Sequence, residues 1–427
     1  MTKTIALLTL LLASLACSLP FANSTPDAAE PTLDLSTLVA ENLTAAAAEA
    51  PTAAPVAADT PTPEPAPTNL HIVYARSGNL VLWRESDAPL SLTSSGLDEA
   101  PIISDDGQVI AFLRNGELHS VRADGSGERL LISQAYMDSF RAADVLSVRL
   151  LEFDFAPASH EVYFSLLGET EAFPMHLNDL QRVNADSGAI NIVLPAGSGG
   201  GDWTFSPDRQ WLALAQSNQI RVMRPDGTQD RVIFKFKMVS TYSEWFYFPQ
   251  VVWRNDSVGL YTVIPASAIL ENPSEPTRYF YIPLTGEAAK LAEFAAAPVW
   301  QSFPFISPDG IKVAYVRESG GTQSLHVIDA STADRVYTSA PALAIRGWNP
   351  DSERVIYHAD DPLIVNILAF GAAPVRISES GSFSGLQWVS PEKYLFLNGE
   401  ELRLRLLPAA STIIENGVSG YDFALVP

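Results

Sequence analysis

The turn in FPFISPDGIKVAYV (residues 303–316) decides the fold of this chain. Alternating apolar segments flank Ser307-Pro308-Asp309-Gly310, so the stretch predicts two antiparallel strands joined by a tight turn. The serine can hydrogen-bond the backbone amides ahead of it, and the proline fixes φ near about −65°. The aspartate tolerates the next conformation and the glycine accepts positive φ.

Variants of this turn recur along the chain at intervals of about 40 to 54 residues, a period that suits a four-stranded propeller blade and excludes the shorter helical repeats. A turn that joins the inner strands of every blade repeats for a structural reason, because a one-residue slip would turn the buried face outward. The instances lie at 103–107, 155–159, 205–209, 253–257, 306–310, 348–352 and 388–392.

A third strand and a second turn follow the hairpins, with turn sequences at 123–127, 224–227 and 329–331. This unit, with an SPDG turn and a later D-G or D-x-S turn, resembles the repeats of TolB-type, WD40-like β-propellers over about residues 69–427. The resemblance implies an all-β architecture and no catalytic residues.

The two ends of the repeat region predict how the ring closes. Residues 72–76, 80–84 and 90–93 form three strands without a preceding inner strand, whereas 421–426 is a strand left over at the C-terminus. We therefore predict a single β-propeller in which the last strand completes the first blade and removes the free edges. This count gives eight blades, with seven as the alternative if the weak unit at 344–378 is misread.

The N-terminal segment 1–17 reads as an export signal. Lys3 precedes an apolar run at 5–16, which is too short to span a bilayer. Ser14-Leu15-Ala16-Cys17 holds the only cysteine and resembles the lipobox of bacterial lipoproteins, although its leucine stands one place late. The resemblance implies lipidation of Cys17 and a lipid-anchored protein on the outer face of a bacterial membrane. The alternative is an ordinary signal peptide and a secreted protein.

Composition separates a linker from the propeller. Residues 18–68 are rich in Ala, Pro, Thr and acids and contain no Lys or Arg, which predicts an extended acidic linker. The whole chain has 49 acidic and 27 basic residues, a formal charge of −22, so we expect no nucleic-acid partner. Its 47% hydrophobic content suffices for a large core at 69–427.

One face of the predicted propeller carries the long loops. Strands alternate in direction, so the segments 134–148, 165–181, 235–249 and 264–278 all fall on the face opposite the repeated turns. Loops longer than the geometry needs are commonly functional. The alternative is that their rings pack on one another and cap the channel. The candidate partner-binding residues are Tyr136, Phe173, His176, Tyr242, Trp245, Phe246 and Tyr247.

Motifs for catalysis are missing from the sequence. The segment 381–385 places Phe where a nucleophile elbow needs Ser, and six histidines and one cysteine show no metal-ligand spacing. We expect no catalytic residue, metal or cofactor, and a monomeric binding or scaffold module for an envelope protein, a peptide or a glycan. The alternative is a carbohydrate- or peptide-active hydrolase with carboxylates at the propeller mouth, for which Glu169, Glu171 and Glu244 are the candidates.

Overall fold

The computed structural model describes residues 69–426 apart from positions 86, 330, 380 and 381. Within this part of the chain there are 33 strands and one short helix, α1 (Gln134–Asp138). The strands form eight antiparallel sheets arranged as a β-propeller, which confirms the all-β prediction and the count of eight blades. The predicted signal peptide, Cys17 and the linker 18–68 lie outside the described residues.

The first four blades follow the chain from its first described residue. Blade 1 contains β1 (Asn69–Arg76), β2 (Asn79–Arg84), β3 (Leu90–Ser91) and β33 (Val418–Val426). Blade 2 contains β4 (Asp98–Ile103), β5 (Val109–Arg114), β6 (Glu117–Arg122) and β7 (Arg129–Ile132). Blade 3 contains β8 (Ser147–Phe155), β9 (Glu161–Glu169), β11 (Leu180–Asn184) and β12 (Ile190–Leu194), with the additional short β10 (Met175–His176) on β9. Blade 4 contains β13 (Asp202–Phe205), β14 (Leu212–Ala215), β15 (Gln219–Met223) and β16 (Arg231–Lys235).

The remaining blades have the same four-strand order. Blade 5 contains β17 (Val251–Trp253), β18 (Gly259–Ile264), β19 (Thr277–Pro283) and β20 (Ala289–Phe294). Blade 6 contains β21 (Phe305–Ile306), β22 (Lys312–Ser319), β23 (Thr322–Asp329) and β24 (Asp334–Ala340). Blade 7 contains β25 (Leu343–Trp348), β26 (Arg354–Ala359), β27 (Asp361–Ala369) and β28 (Val375–Arg376), so the weak unit is a complete blade. Blade 8 contains β29 (Phe383–Trp388), β30 (Lys393–Asn398), β31 (Glu401–Leu406) and β32 (Thr412–Glu415).

The first and last described strands close the ring. β33 pairs antiparallel with β1 along its whole length, from Asn69 opposite Val426 to Arg76 opposite Val418. β33 therefore occupies the innermost position of blade 1, which confirms the prediction that the C-terminal strand completes the first blade. The pairing supplies backbone partners to two strands that would otherwise have free edges.

Each repeated turn joins the two innermost strands of a blade and hydrogen-bonds to a neighbouring blade. The hydroxyl of Ser307 accepts a hydrogen bond from the backbone N–H of Lys312 at 3.0 Å and donates one to Asp309 at 2.5 Å. The backbone N–H of Asp309 donates to Ser352 in the corresponding turn of blade 7 at 3.0 Å. Gly310 has φ of +77°, and a Cβ there would lie 2.4 Å from the ring of Tyr261. The turn thus fixes both the hairpin and the spacing of neighbouring blades.

The core lies between blades, in layers made by facing sheets. Phe112 and Val121 of blade 2 pack against Ala75 and Leu80 of blade 1, and similar clusters join the other neighbours. Tryptophans just before two of the turns add a polar contact: the indole of Trp253 donates to the Thr204 carbonyl at 3.2 Å, and that of Trp348 to the Phe305 carbonyl at 2.9 Å. Each blade is therefore held mainly by its neighbours.

The strand order divides the surface into two faces. The turns between first and second strands and between third and fourth strands lie on one face, which we call the turn face. The second-to-third loops and the connections between blades lie on the other, the long-loop face, and they include the connection that contains α1. This assignment agrees with the sorting of loops made from the sequence.

Candidate functional site

Three loops of blades 4, 5 and 6 meet on the long-loop face: 236–250, 265–276 and 295–304. The backbone N–H of Ser240 donates to the Ser267 carbonyl at 2.8 Å. The hydroxyl of Tyr242 donates to Glu271 and accepts from the backbone N–H of Leu270 at 3.0 Å. Hydrogen bonds therefore connect the first two loops, and ring contacts join the third to the first.

Five large aromatic side chains are exposed where these loops meet, and we call this surface the aromatic patch. The ring of Tyr242 makes an edge contact with Trp300, with centroids 5.3 Å apart, and Trp245 contacts Phe303 at 6.0 Å. Phe246, which directly follows Trp245 in the sequence, has 58% of its surface exposed. The patch consists of Tyr242, Trp245, Phe246, Trp300 and Phe303, all of which are exposed.

Tyr247 supports the patch from below. It is only 3% exposed, clusters with Val239 and Val299, and stacks on Phe303 with centroids 5.8 Å apart and an interplanar angle of 13°. The threonine hydroxyl of the same loop, Thr241, donates to the Trp245 carbonyl at 2.7 Å. The loop thus presents Trp245 and Phe246 outward on a packed base, and one of the predicted binding residues, Tyr247, forms that base.

The other predicted binding residues lie elsewhere on the long-loop face. Tyr136 belongs to α1, contacts Phe140 edge-on at 5.3 Å and donates to the Gln181 side chain at 2.5 Å, so it packs between blades 2 and 3. Phe173 is 61% exposed in the loop after β9. His176 is exposed at the end of β10, where the sequence predicted a loop.

A second feature of the long-loop face is a depression beside the inner strands of blades 1 to 3. It has a volume of about 660 Å³ and is lined by β33, β4 and β8, including Glu99, Glu152 and Tyr421. A smaller cavity of about 210 Å³ adjoins it, shares Glu152, and adds Asp202, His176 and Phe248. We call Glu99, Glu152 and Asp202 the acidic mouth.

Burial, together with charge repulsion at Glu152, disfavours the ionised form of two carboxylates of the acidic mouth, Glu152 and Asp202, and so raises the pKa of each. Burial, and after it the negative charge of Asp202, raises the pKa of Glu152 to about 7, although the Ser165 hydroxyl donates to Glu152 at 3.3 Å. Burial also raises the pKa of Asp202. Arg149 lines the same depression, but its charge faces Glu169 at 2.7 Å. A cation at the mouth would therefore relieve repulsion between carboxylates.

The glycine-rich connection 197–201 places Asp202 at the cavity. Gly201 has φ of +101°, and a Cβ there would lie 1.9 Å from the carbonyl oxygen of Ala215. The connection is tied to the β10 loop by hydrogen bonds from Gly197 to the Leu177 carbonyl at 2.8 Å and from Gly199 to Asn178. Gly200 and Gly201 of this connection also form one wall of the cavity.

Five residues of these surfaces were not identified from the sequence. Trp300 and Phe303 lie in a short connection between blades, and Glu99, Glu152 and Asp202 lie on inner strands. A glutamate and an aspartate inside the apolar run LLEFDF (150–155) were the available signal for Glu152. The hydrolase candidate Glu169 instead pairs with Arg149, whereas Glu171 and Glu244 are exposed.

The described residues offer neither a cluster of metal ligands nor a helix that could span a membrane. They contain no group of three or more His, Cys, Asp or Glu side chains arranged to hold a metal ion. Their single helix is far too short to cross a membrane.

Comparison with solved structures agrees with the propeller fold. A crystal structure of a eukaryotic initiation factor superposes with a TM-score of 0.50 at 11% identity and covers 83% of this chain and 98% of its own. A dihydro-heme d1 dehydrogenase, NirN, gives 0.48 at 12% identity over 90% and 85%, and TolB from Acinetobacter baumannii gives 0.31 at 13% over 63% of both chains. At 11% identity, the likeness to the initiation factor shows the fold alone. No family profile and no curated protein matches the sequence.

Proposed function

We propose that this protein is a binding module that docks a polypeptide partner on its long-loop face, with the aromatic patch at the centre of the contact. The observation that carries the proposal is the exposure of Tyr242, Trp245, Phe246, Trp300 and Phe303 together on loops that are packed from below. Such rings remove much apolar surface from water at a small cost in conformational entropy, which is why Trp and Tyr dominate binding hot spots.

The setting we propose follows the N-terminal sequence. Lipidation of Cys17 would anchor the protein at a bacterial membrane, and the segment 18–68 would hold the propeller away from it. Mass spectrometry of the mature N-terminus tests this part: a diacylated or triacylated cysteine supports it, and an unmodified N-terminus after Ala22 contradicts it.

A selection experiment tests the binding function. A random peptide library displayed on phage is panned against the immobilised full chain, and the enriched peptides are tested on a Trp245→Ala/Phe246→Ala variant. We expect most enriched peptides to lose binding to this variant. A variant with Leu425→Ala, an exposed apolar residue of β33, serves as the control and should keep them. If the enriched peptides bind the Trp245→Ala/Phe246→Ala variant as tightly as the wild type, the proposal is contradicted.

A hydrolase is the second candidate, because the raised pKa of Glu152 beside Asp202 resembles the pairing of a general acid with an ionised carboxylate. The test is a screen of glycan and peptide substrates with the full chain and with Glu152→Gln. Turnover that the substitution removes would support this candidate, and no turnover of any substrate would remove it.

A further inference from the structure

We infer that the partner segment is cationic, and that one of its Lys or Arg side chains enters the acidic mouth between Glu152 and Asp202 while neighbouring residues cover the aromatic patch. This inference rests on the proposed function and adds the chemistry of the partner. It joins two surfaces that no local sequence pattern connects.

The two surfaces are continuous through one loop. Phe248 lines the small cavity together with Glu152 and Asp202. Its neighbour Tyr247 stacks on Phe303 of the aromatic patch, and the negative charge of Asp202 adds to burial in raising the pKa of Tyr247. A peptide that crosses this loop therefore contacts exposed rings on one side and carboxylates on the other.

The size of the cavity favours a single side chain. Its volume of about 210 Å³ is below the roughly 300–1,000 Å³ of typical small-molecule pockets. Leu151 and Phe248, both half-buried, supply an apolar wall for a methylene stem, and Glu152 and Asp202 face the charged end. Exposed Trp and Tyr rings beside it provide cation–π contacts for further basic residues.

The negative charge of the acidic mouth favours a positively charged partner. Glu99, Glu152 and Asp202 line the two connected cavities, whereas Arg149 pairs with Glu169. The rim of the patch itself carries both signs, with Glu244 and Glu271 against Lys235 and Lys237, so the preference arises at the mouth. A formal charge of −22 also disfavours an anionic glycan, a lipid headgroup or a second copy of the chain.

The affinity for a basic peptide should depend on pH, because Glu152 must be ionised to attract a cation. The groups around Glu152 are Arg149 and Asp154 on its own strand, Glu99 across the depression, and Asp179, Asp202 and His176 across the cavity. With a pKa of about 7, Glu152 is substantially protonated below that pH, and only its ionised form attracts a cation. Affinity for a basic peptide should therefore fall as the pH is lowered from 8 to 5.5.

The experiment uses defined peptides and matched variants. Fluorescence anisotropy measures binding to the full chain of a nine-residue peptide that repeats Gly-Arg-Leu, with analogues in which Gln or Glu replaces Arg. Glu152→Gln/Asp202→Asn removes two negative charges at the mouth. Glu287→Gln/Glu353→Gln removes two on the turn face, where both carboxylates are exposed, and controls for general charge attraction.

We expect the Arg peptide to bind most tightly, the mouth variant to weaken it at least tenfold, and the turn-face variant to change it less than twofold. Equal losses in both double variants, or equal binding of the Gln peptide, would overturn the inference. Thermal unfolding of each variant confirms that it is folded, and the pH profile of wild-type binding supplies the second test. Library peptides that need Trp245 but are not enriched in Lys or Arg would leave the proposed function standing and remove only this inference.

Discussion

Tyr74 lies directly opposite Tyr421 in the antiparallel pair of β1 and β33, although the two residues stand near opposite ends of the described chain. Both rings are buried, and the hydroxyl of Tyr421 donates to the Gly385 carbonyl of blade 8. Tyr421 thus connects the last strand both to β1 within blade 1 and to the neighbouring blade 8.

Replacing Tyr421 should cost much of the stability of the ring. We expect Tyr421→Ala to lower the free energy of unfolding by about 3–5 kcal/mol, because it leaves a cavity and an unpaired carbonyl. Leu425→Ala, on the same strand but exposed, should cost less than about 1 kcal/mol. Urea unfolding followed by tryptophan fluorescence measures both, and similar losses would argue that closure does not depend on this contact.

The repeated turn should depend on its buried hydroxyl. Ser307 is fully buried, and its side chain holds the backbone N–H of Lys312. Ser307→Ala should therefore cost about 1–3 kcal/mol, the penalty for a buried donor without an acceptor. The exposed Ser187 makes a comparable local bond to Asn184 at 2.9 Å, and Ser187→Ala should change the free energy of unfolding by less than about 0.5 kcal/mol. Thermal unfolding of the two variants is the measurement.

His160 on the turn face should make stability depend on pH. Burial lowers its pKa, but hydrogen bonds to Asp186 at 2.6 Å and Asp106 at 3.1 Å outweigh burial and raise the pKa above 6.5. A raised histidine pKa means that its stabilising contribution is complete below the pKa of the unfolded chain and is lost as pH rises through the folded value.

His160→Gln should consequently lose more stability at pH 6 than at pH 9. Asp186→Asn, which removes one carboxylate and keeps the imidazole, should give an intermediate slope. Free energies of unfolding in urea at pH 6, 7.5 and 9 check this, and a difference between His160→Gln and wild type that is the same at every pH would contradict it.

The effect of Glu152 on stability should have the opposite sign from that of His160. Folding raises its carboxyl pKa from 4.5 to about 7, so its ionisation favours unfolding. The cost is absent below 4.5, grows as the pH rises from there to about 7, and is complete above that pH. Glu152→Gln should therefore stabilise the protein at pH 8 by on the order of 1–2 kcal/mol after allowance for solvent screening, and by little at pH 4. Destabilisation at both pH values would indicate that the bond with Ser165 is the stronger effect.

The aromatic patch should contribute little to folding. Trp245→Ala is expected to change the free energy of unfolding by less than about 1 kcal/mol, because the ring is exposed above a buried base. Trp253→Ala provides the matched control, since that ring is buried and its indole bonds the Thr204 carbonyl, and it should cost about 3–5 kcal/mol. Comparable losses in the two variants would favour the capping alternative for Trp245.

The sequence by itself determined the blades, their number and the strand that closes the ring. Turn residues such as Ser307, Asp309 and Gly310 act on backbone only a few positions away, and the two-residue period of a strand is equally local, so both can be read in the order of the residues. Ring closure could be predicted for the same reason, because the first repeat lacks one strand and the C-terminal end has one strand too many.

The tertiary structure alone decided which side chains share a surface. Tyr247 and Phe246 are neighbours in the sequence, yet one is buried against Phe303 and the other is exposed, because a loop from another blade covers only one of them. Glu152 and Asp202 come from different blades, and their proximity depends on how blades 3 and 4 pack. Burial and charge repulsion are set by such distant contacts, and no local pattern encodes them.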